Sequence, residues 1–98
     1  MTEITKHIKE DITIESNTNL HSMVSGNISV SQSVEFIVHG TVNGNIVVQN
    51  NSLLIIHGTV NGNIINSGLC KIFGMINGKL IDKGGNFEID PNAMINDN

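Results

Sequence analysis

No arginine, tryptophan or tyrosine occurs in this chain of 98 residues, and cysteine and proline occur once each. Each scarcity removes a class of function. Without arginine there is no planar fork of donors to grip phosphates or base edges in pairs, and the five basic residues, all lysine, face nine acidic ones. The formal charge is −4, and three phenylalanines are too few for a stacking platform, so nucleic acid is not an expected partner. Mild acidity would suit a basic protein. No apolar run is long enough to cross a bilayer, so a membrane is not an expected partner either. The N-terminal stretch mixes Lys6 and Lys9 with Glu3, Glu10, Asp11 and Glu15, unlike the apolar core of a secretion signal. Cys70 has no second cysteine to pair with, which fits a reducing, cytoplasmic setting. Between Leu69 and Ile72 it reads as a small buried side chain and not as a nucleophile.

What the chain does contain is β-forming. Hydrophobic residues make up 39% of it, mostly Ile, Val and Leu, interspersed with ten glycines and many asparagines, the composition of short apolar strands separated by turns. The length suits one domain with a modest core. The segment His39-Gly40-Thr41-Val42-Asn43-Gly44-Asn45-Ile46 returns unchanged 18 residues later as His57 to Ile64. Looser copies begin at His21, Phe73 and Ala93, the last running to Asn98. Within this period Val24, Val30, Phe36, Val42, Val48, Leu54 and Val60 are apolar at every sixth position, so each repeat has three equivalent sides. That spacing is wrong for a helix of 3.6 residues per turn, and an antiparallel meander with Asn-Gly hairpins has no need of a constant 18-residue return.

The expected fold is therefore all-β, a short triangular parallel β-helix of about five coils over residues 21–98, with residues 1–20 as an N-terminal capping segment. Ile4 and Ile8, four apart, fit a short amphipathic helix, whereas Asp11 to Glu15 alternates like a strand. The interior should hold four columns: Val24, Val42, Val60, Ile76 and Ile95; Ile28, Ile46, Ile64 and Leu80; Phe36, Leu54, Cys70 and Phe87; and Val38, Ile56, Ile72 and Ile89. Gly26, Gly44, Gly62 and Gly78 fall at one corner of successive coils, where a left-handed backbone would favour glycine. Open strand edges and an apolar cross-section are expected at the two poles.

The units Val42-Asn43-Gly44-Asn45-Ile46, Val60-Asn61-Gly62-Asn63-Ile64 and Ile76-Asn77-Gly78-Lys79-Leu80 give residues 21–98 a pattern that resembles the bactofilins, the polymer-forming bacterial cytoskeletal family. The resemblance implies a right-handed triangular β-helix that polymerises end to end without a nucleotide, often near the membrane. The chain departs from that pattern in its high asparagine content and smaller number of coils. Hexapeptide-repeat acyltransferases and the related carbonic anhydrases share the six-residue side. The long projecting loops and the acceptor-binding domain that make those folds enzymes have no counterpart here.

No catalytic motif emerges. His21, His39 and His57 fall in register along one edge, where a linear stack offers no tetrahedral ligand set, so an outward ladder is expected and no metal. Asn43, Asn61, Asn77 and Asn96, and in parallel Asn27, Asn45 and Asn63, should stack as amide ladders. Asp82, Glu88, Asp90 and Asp97 form no paired-carboxylate motif, and neither a nucleophile triad nor a phosphate-binding loop is present. No cofactor and no catalysis are expected.

Alternation along the strands supplies the one positive signal. With Phe36, Val38, Leu54 and Ile56 inward, Ile37 and Ile55 point outward together with Leu53 and Leu69, and Val47, Ile65 and Ile81 do so on another side. Aligned apolar columns on a soluble protein call for a protein partner. The expected function is non-enzymatic: a self-assembling, bactofilin-like scaffold, forming homo-oligomers or filaments. The alternative is a small acidic immunity protein that binds and inhibits a bacterial toxin.

Overall fold

Apolar strands only two to four residues long, separated by turns rich in Asn, Gly and Ser, cannot extend into a wide sheet and must turn after every short strand. In the computed structural model, which describes residues 1–97, they do so three times per coil. The first coil carries β1 (Thr2–Ile4) and β2 (Ile12–Ile14). The second carries β3 (Thr18–Leu20), β4 (Met23–Ser25) and β5 (Ile28–Val30), and the third β6 (Glu35–Val38), β7 (Thr41–Asn43) and β8 (Ile46–Val48). The fourth has β9 (Leu53–Ile56), β10 (Thr59–Asn61) and β11 (Ile64–Asn66), and the fifth β12 (Leu69–Ile72), β13 (Met75–Ile76) and β14 (Leu80–Asp82). A further turn begins with β15 (Asn86–Ile89) and β16 (Met94–Ile95). Asn98, the end of the last repeat copy, lies outside the described residues.

Equivalent strands of successive coils pair in parallel and build three sheets: β1-β3-β6-β9-β12-β15, β4-β7-β10-β13-β16 and β2-β5-β8-β11-β14. The protein is thus an all-β parallel solenoid of about five coils, with no helix among the described residues. The registers are those of the repeat. Val24, Val42, Val60, Ile76 and Ile95 stand one above another, as do Ile28, Ile46, Ile64 and Leu80. Phe36, Leu54, Cys70 and Phe87 form the third column, beside Val38, Ile56, Ile72 and Ile89. The middle of each column is fully buried, whereas Ile89, expected inside, is 48% exposed; each fully buried aliphatic side chain contributes roughly 1.5–3 kcal/mol before entropy is set against it.

Residues 2–14 join the same sheets. Ile4 pairs with Leu20, Ile8 bridges to Val24, and Ile12 pairs with Ile28, so the four-residue step from Ile4 to Ile8 turns a corner and starts no helix. Leu20 to Val24 and Val38 to Val42 make the same step. The strand at Ile12–Ile14 matches the alternation of Asp11 to Glu15.

Glycine at the Asn-Gly corner serves close approach between coils. A Cβ on Gly62 would lie 2.1 Å from the Gly44 carbonyl oxygen, and one on Gly78 would lie 2.1 Å from that of Gly62. The left-handed twist expected there occurs at a different corner, where Ser33 (φ 59°) and Asn51 (φ 63°) occupy equivalent places in the turns leading into β6 and β9. The following turn, Ser67-Gly68, is shorter. It is closed by Asn66, fully buried in line with Val48: its amide donates to the carbonyls of Gly68 (3.2 Å) and Asn86 (2.8 Å), while its oxygen accepts from Gly68 N–H (2.9 Å).

Candidate interaction surface

The outer face of the six-stranded sheet is set by its pairing. Ile37 lies beside Ile55, and Ile55 beside Lys71; in the neighbouring ladder Glu35 lies beside Leu53, Leu53 beside Leu69, and Leu69 beside Asn86. Ile37, Ile55, Leu53 and Leu69 therefore form one apolar patch across β6, β9 and β12. Glu35 stands at one corner of it and Lys71 at the opposite corner. Val47, Ile65 and Ile81 stack separately, on the outer face of β8, β11 and β14. The seven residues belong to two faces of the triangle. Six of them alternate along their strands with fully buried residues and so point away from the interior, and Ile81, in a strand with no fully buried residue, is placed outward by its pairing with Ile65. They are half-buried because each is flanked by its neighbour a coil away.

Continuous with this patch is a feature that the sequence does not announce, a groove of about 380 Å³ lined by Leu53 and Leu69 together with Asn51, Ser67, Gly68 and Asn86. Its lining comes from the turn before β9 and the shorter turn before β12, with the turn before β15 beyond them. The lost residues were legible as a drop in the repeat from 18 to 16 residues. The groove beside them was not.

The other candidate columns are ladders. The imidazoles of His21, His39 and His57 stack with centroids 5.0 and 5.3 Å apart, and Phe73 continues the stack at 5.1 Å. Parallel rings aim their nitrogens side by side, and among the described residues no three His, Cys, Asp or Glu side chains converge as metal ligands would. Glu3 heads the ladder, its Oε1 2.5 Å from His21 Nε2 and its Oε2 accepting from Asn19 Nδ2 at 2.8 Å. The Asn19 hydrogen bond first, and the His21 contact second, hold this exposed carboxyl below its ordinary pKa.

Each asparagine column bonds in its own way. Asn61 donates to Asn43 Oδ1 (2.8 Å), Asn77 to Asn61 (2.7 Å) and Asn96 to Asn77 (2.8 Å), an amide ladder. In the second column Oδ1 of Asn27, Asn45 and Asn63 accepts the backbone N–H of Asn45, Asn63 and Lys79, each at 2.9 Å, tying one coil's corner to the next. Burial pushes the Cys70 thiol up to about 12, which leaves it protonated and inert. Among the described residues no helix is long and apolar enough to cross a membrane. No family model, curated protein or solved structure matches the chain.

Proposed function

We propose that this protein is a non-enzymatic, bactofilin-like scaffold module that associates with copies of itself, the outer surface of its solenoid supplying side-by-side contacts in addition to the end-to-end ones its resemblance implies. The observation that carries this reading is the apolar patch of Ile37, Ile55, Leu53 and Leu69, aligned in two ladders on the flat side of a sheet. Four large aliphatic side chains held side by side on rigid strands present a preformed contact, at little entropic cost on docking. The column of Val47, Ile65 and Ile81 offers a second apolar strip on another side, as a scaffold with more than one contact requires. The side chains near the described ends add apolar surface at the poles, where Ile4, Ile8 and Ile12 at one end and Leu80, Phe87 and Ile95 at the other are only partly buried.

Sedimentation over about a hundredfold concentration range tests the proposal, because mass action must shift an association-linked equilibrium. The wild-type protein is expected to sediment faster as concentration rises. Ile55→Lys, which sets a charge in the middle of the patch, is expected to remain slow with an unchanged melting temperature. A wild-type protein that stays monomeric throughout would overturn the scaffold reading.

A further inference from the structure

Resting on the self-association reading, we infer that the patch on β6, β9 and β12 docks against the same patch of a second copy about a two-fold axis, with Glu35 of each copy paired to Lys71 of the other. The patch is a grid of two ladders by three coils. Glu35, Leu53 and Leu69 follow one another in one ladder, and Ile37, Ile55 and Lys71 in the other. The only two charges in the grid occupy opposite corners and have opposite signs. Between them runs an apolar band from Ile37 through Leu53 and Ile55 to Leu69.

Coils stack about 4.8 Å apart and a two-residue step along a strand is about 6.6 Å. The two charged corners are therefore about 12 Å apart within one copy, too far to pair, and among the described residues neither takes part in an ion pair. For a flat face meeting its own copy, the symmetry axis lies in the plane of contact, and its direction decides what faces what. An axis along the strands sets Glu35 against the partner's Leu69 and Lys71 against its Ile37. An axis along the solenoid sets Glu35 against Ile37 and Lys71 against Leu69. Both bury unpaired charges against aliphatic side chains, which is costly. An axis along the diagonal from Ile37 to Leu69 brings each Glu35 close to the partner's Lys71 and lays the apolar band upon itself. The grid spacings then require the two solenoids to cross at about 70°, a near-orthogonal packing of two sheets. Glu88, next to Lys71 in the same ladder, and Glu3, beyond Asn19 at the other end, lie outside the overlap. Four aliphatic side chains per copy make a contact of the weak, reversible class, in which the charge pairs set orientation.

The symmetry supplies a sharp test. In a homodimer of Glu35→Lys, two lysines face each other twice; in a homodimer of Lys71→Glu, two glutamates do. A mixed dimer of the two variants restores two opposite-charge contacts, although both variants remain net acidic and gain no general attraction for each other. Each variant alone is expected to weaken dimerisation by about tenfold or more at low salt, and an equimolar mixture is expected to recover wild-type association, less so at high salt. Melting temperatures of both variants check that the fold is retained. Sedimentation equilibrium of the separate and mixed proteins is the measurement. A mixture no stronger than its components would overturn the diagonal two-fold; if Ile55→Lys still dissociated the wild-type assembly, self-association through this face would stand. A wild-type protein monomeric at every concentration would remove both.

Discussion

Replacing Gly62 separates two physical explanations for the Asn-Gly corner. If that corner required a left-handed backbone, asparagine would be the best tolerated substitute and alanine a worse one. The contact distances point elsewhere: a Cβ at Gly62 would meet the Gly44 carbonyl oxygen at 2.1 Å, its carbon at 2.6 Å and Asn45 Oδ1 at 3.0 Å. Two of these are backbone atoms that cannot rotate away, so the coils must separate locally by about 1 Å or more to reach ordinary van der Waals distance. Three hydrogen bonds cross that joint, from Gly44 N–H to Asn61 O (3.1 Å), from Ile46 N–H to Asn63 O (2.9 Å) and from Asn63 N–H to Asn45 Oδ1 (2.9 Å). At about 1 kcal/mol each, their weakening together with loosened packing of Ile46 and Ile64 sets the cost at about 3–5 kcal/mol. That is a large share of the about 5–15 kcal/mol that holds a typical domain together.

Gly62→Ala and Gly62→Asn should be equally damaging. Gly84→Ala is the control: Gly84 has φ 93° but no atom within 4 Å of its added Cβ, so only backbone strain of about 1–2 kcal/mol applies. Urea denaturation followed by circular dichroism gives the midpoints, with the slope reporting whether the coils still unfold as one unit. A Gly62→Asn protein within about 1 kcal/mol of wild type while Gly62→Ala is strongly destabilised would refute the close-approach account.

Two further outcomes follow from single groups. Cys70 should resist a thiol reagent in the folded protein even at alkaline pH, since burial lifts its pKa to about 12, and should react in one step on denaturation; fast labelling of the native state would place it at the surface. The Glu3 carboxyl, held below its ordinary 4.5 by Asn19 and His21, adds stability that is fully present above that value. This contribution is lost as pH falls through the lower folded pKa, so a melting-temperature profile of Glu3→Gln should be flatter than wild type in that acid range and parallel to it above. The effect is small because the group is exposed.

The interior columns were legible because a solenoid converts a sequence period directly into a stack. Residues 18 apart, or 16 where a turn shortens, meet in register, and every predicted column is paired as expected. The N-terminal coil was not read in the same way, residues 1–20 being expected to form a capping segment, although Ile4, Ile8 and Ile12 repeat the steps of Leu20, Val24 and Ile28. Read locally, a four-residue step mimics a helix turn; only comparison with the later coils identifies it as a corner. The outward direction of Ile37, Ile55 and Val47 followed from alternation alone.

Sequence by itself therefore determined the three sides, the number of coils, the side chains that face inward and the residue types that stack outside, because each of these depends only on position within a period. The tertiary structure decided how closely the coils approach at each corner, and with that why Gly62 must lack a side chain while Ser33 and Asn51 carry the left-handed twist. It also decided that Asn45 ties its oxygen to a backbone N–H while Asn61 bonds to an amide, and that Leu53 and Leu69, in the patch cornered by Glu35 and Lys71, also line a groove. Those outcomes depend on distances and carbonyl directions between chain segments 16 to 18 residues apart, which a period names as neighbours without saying how they meet.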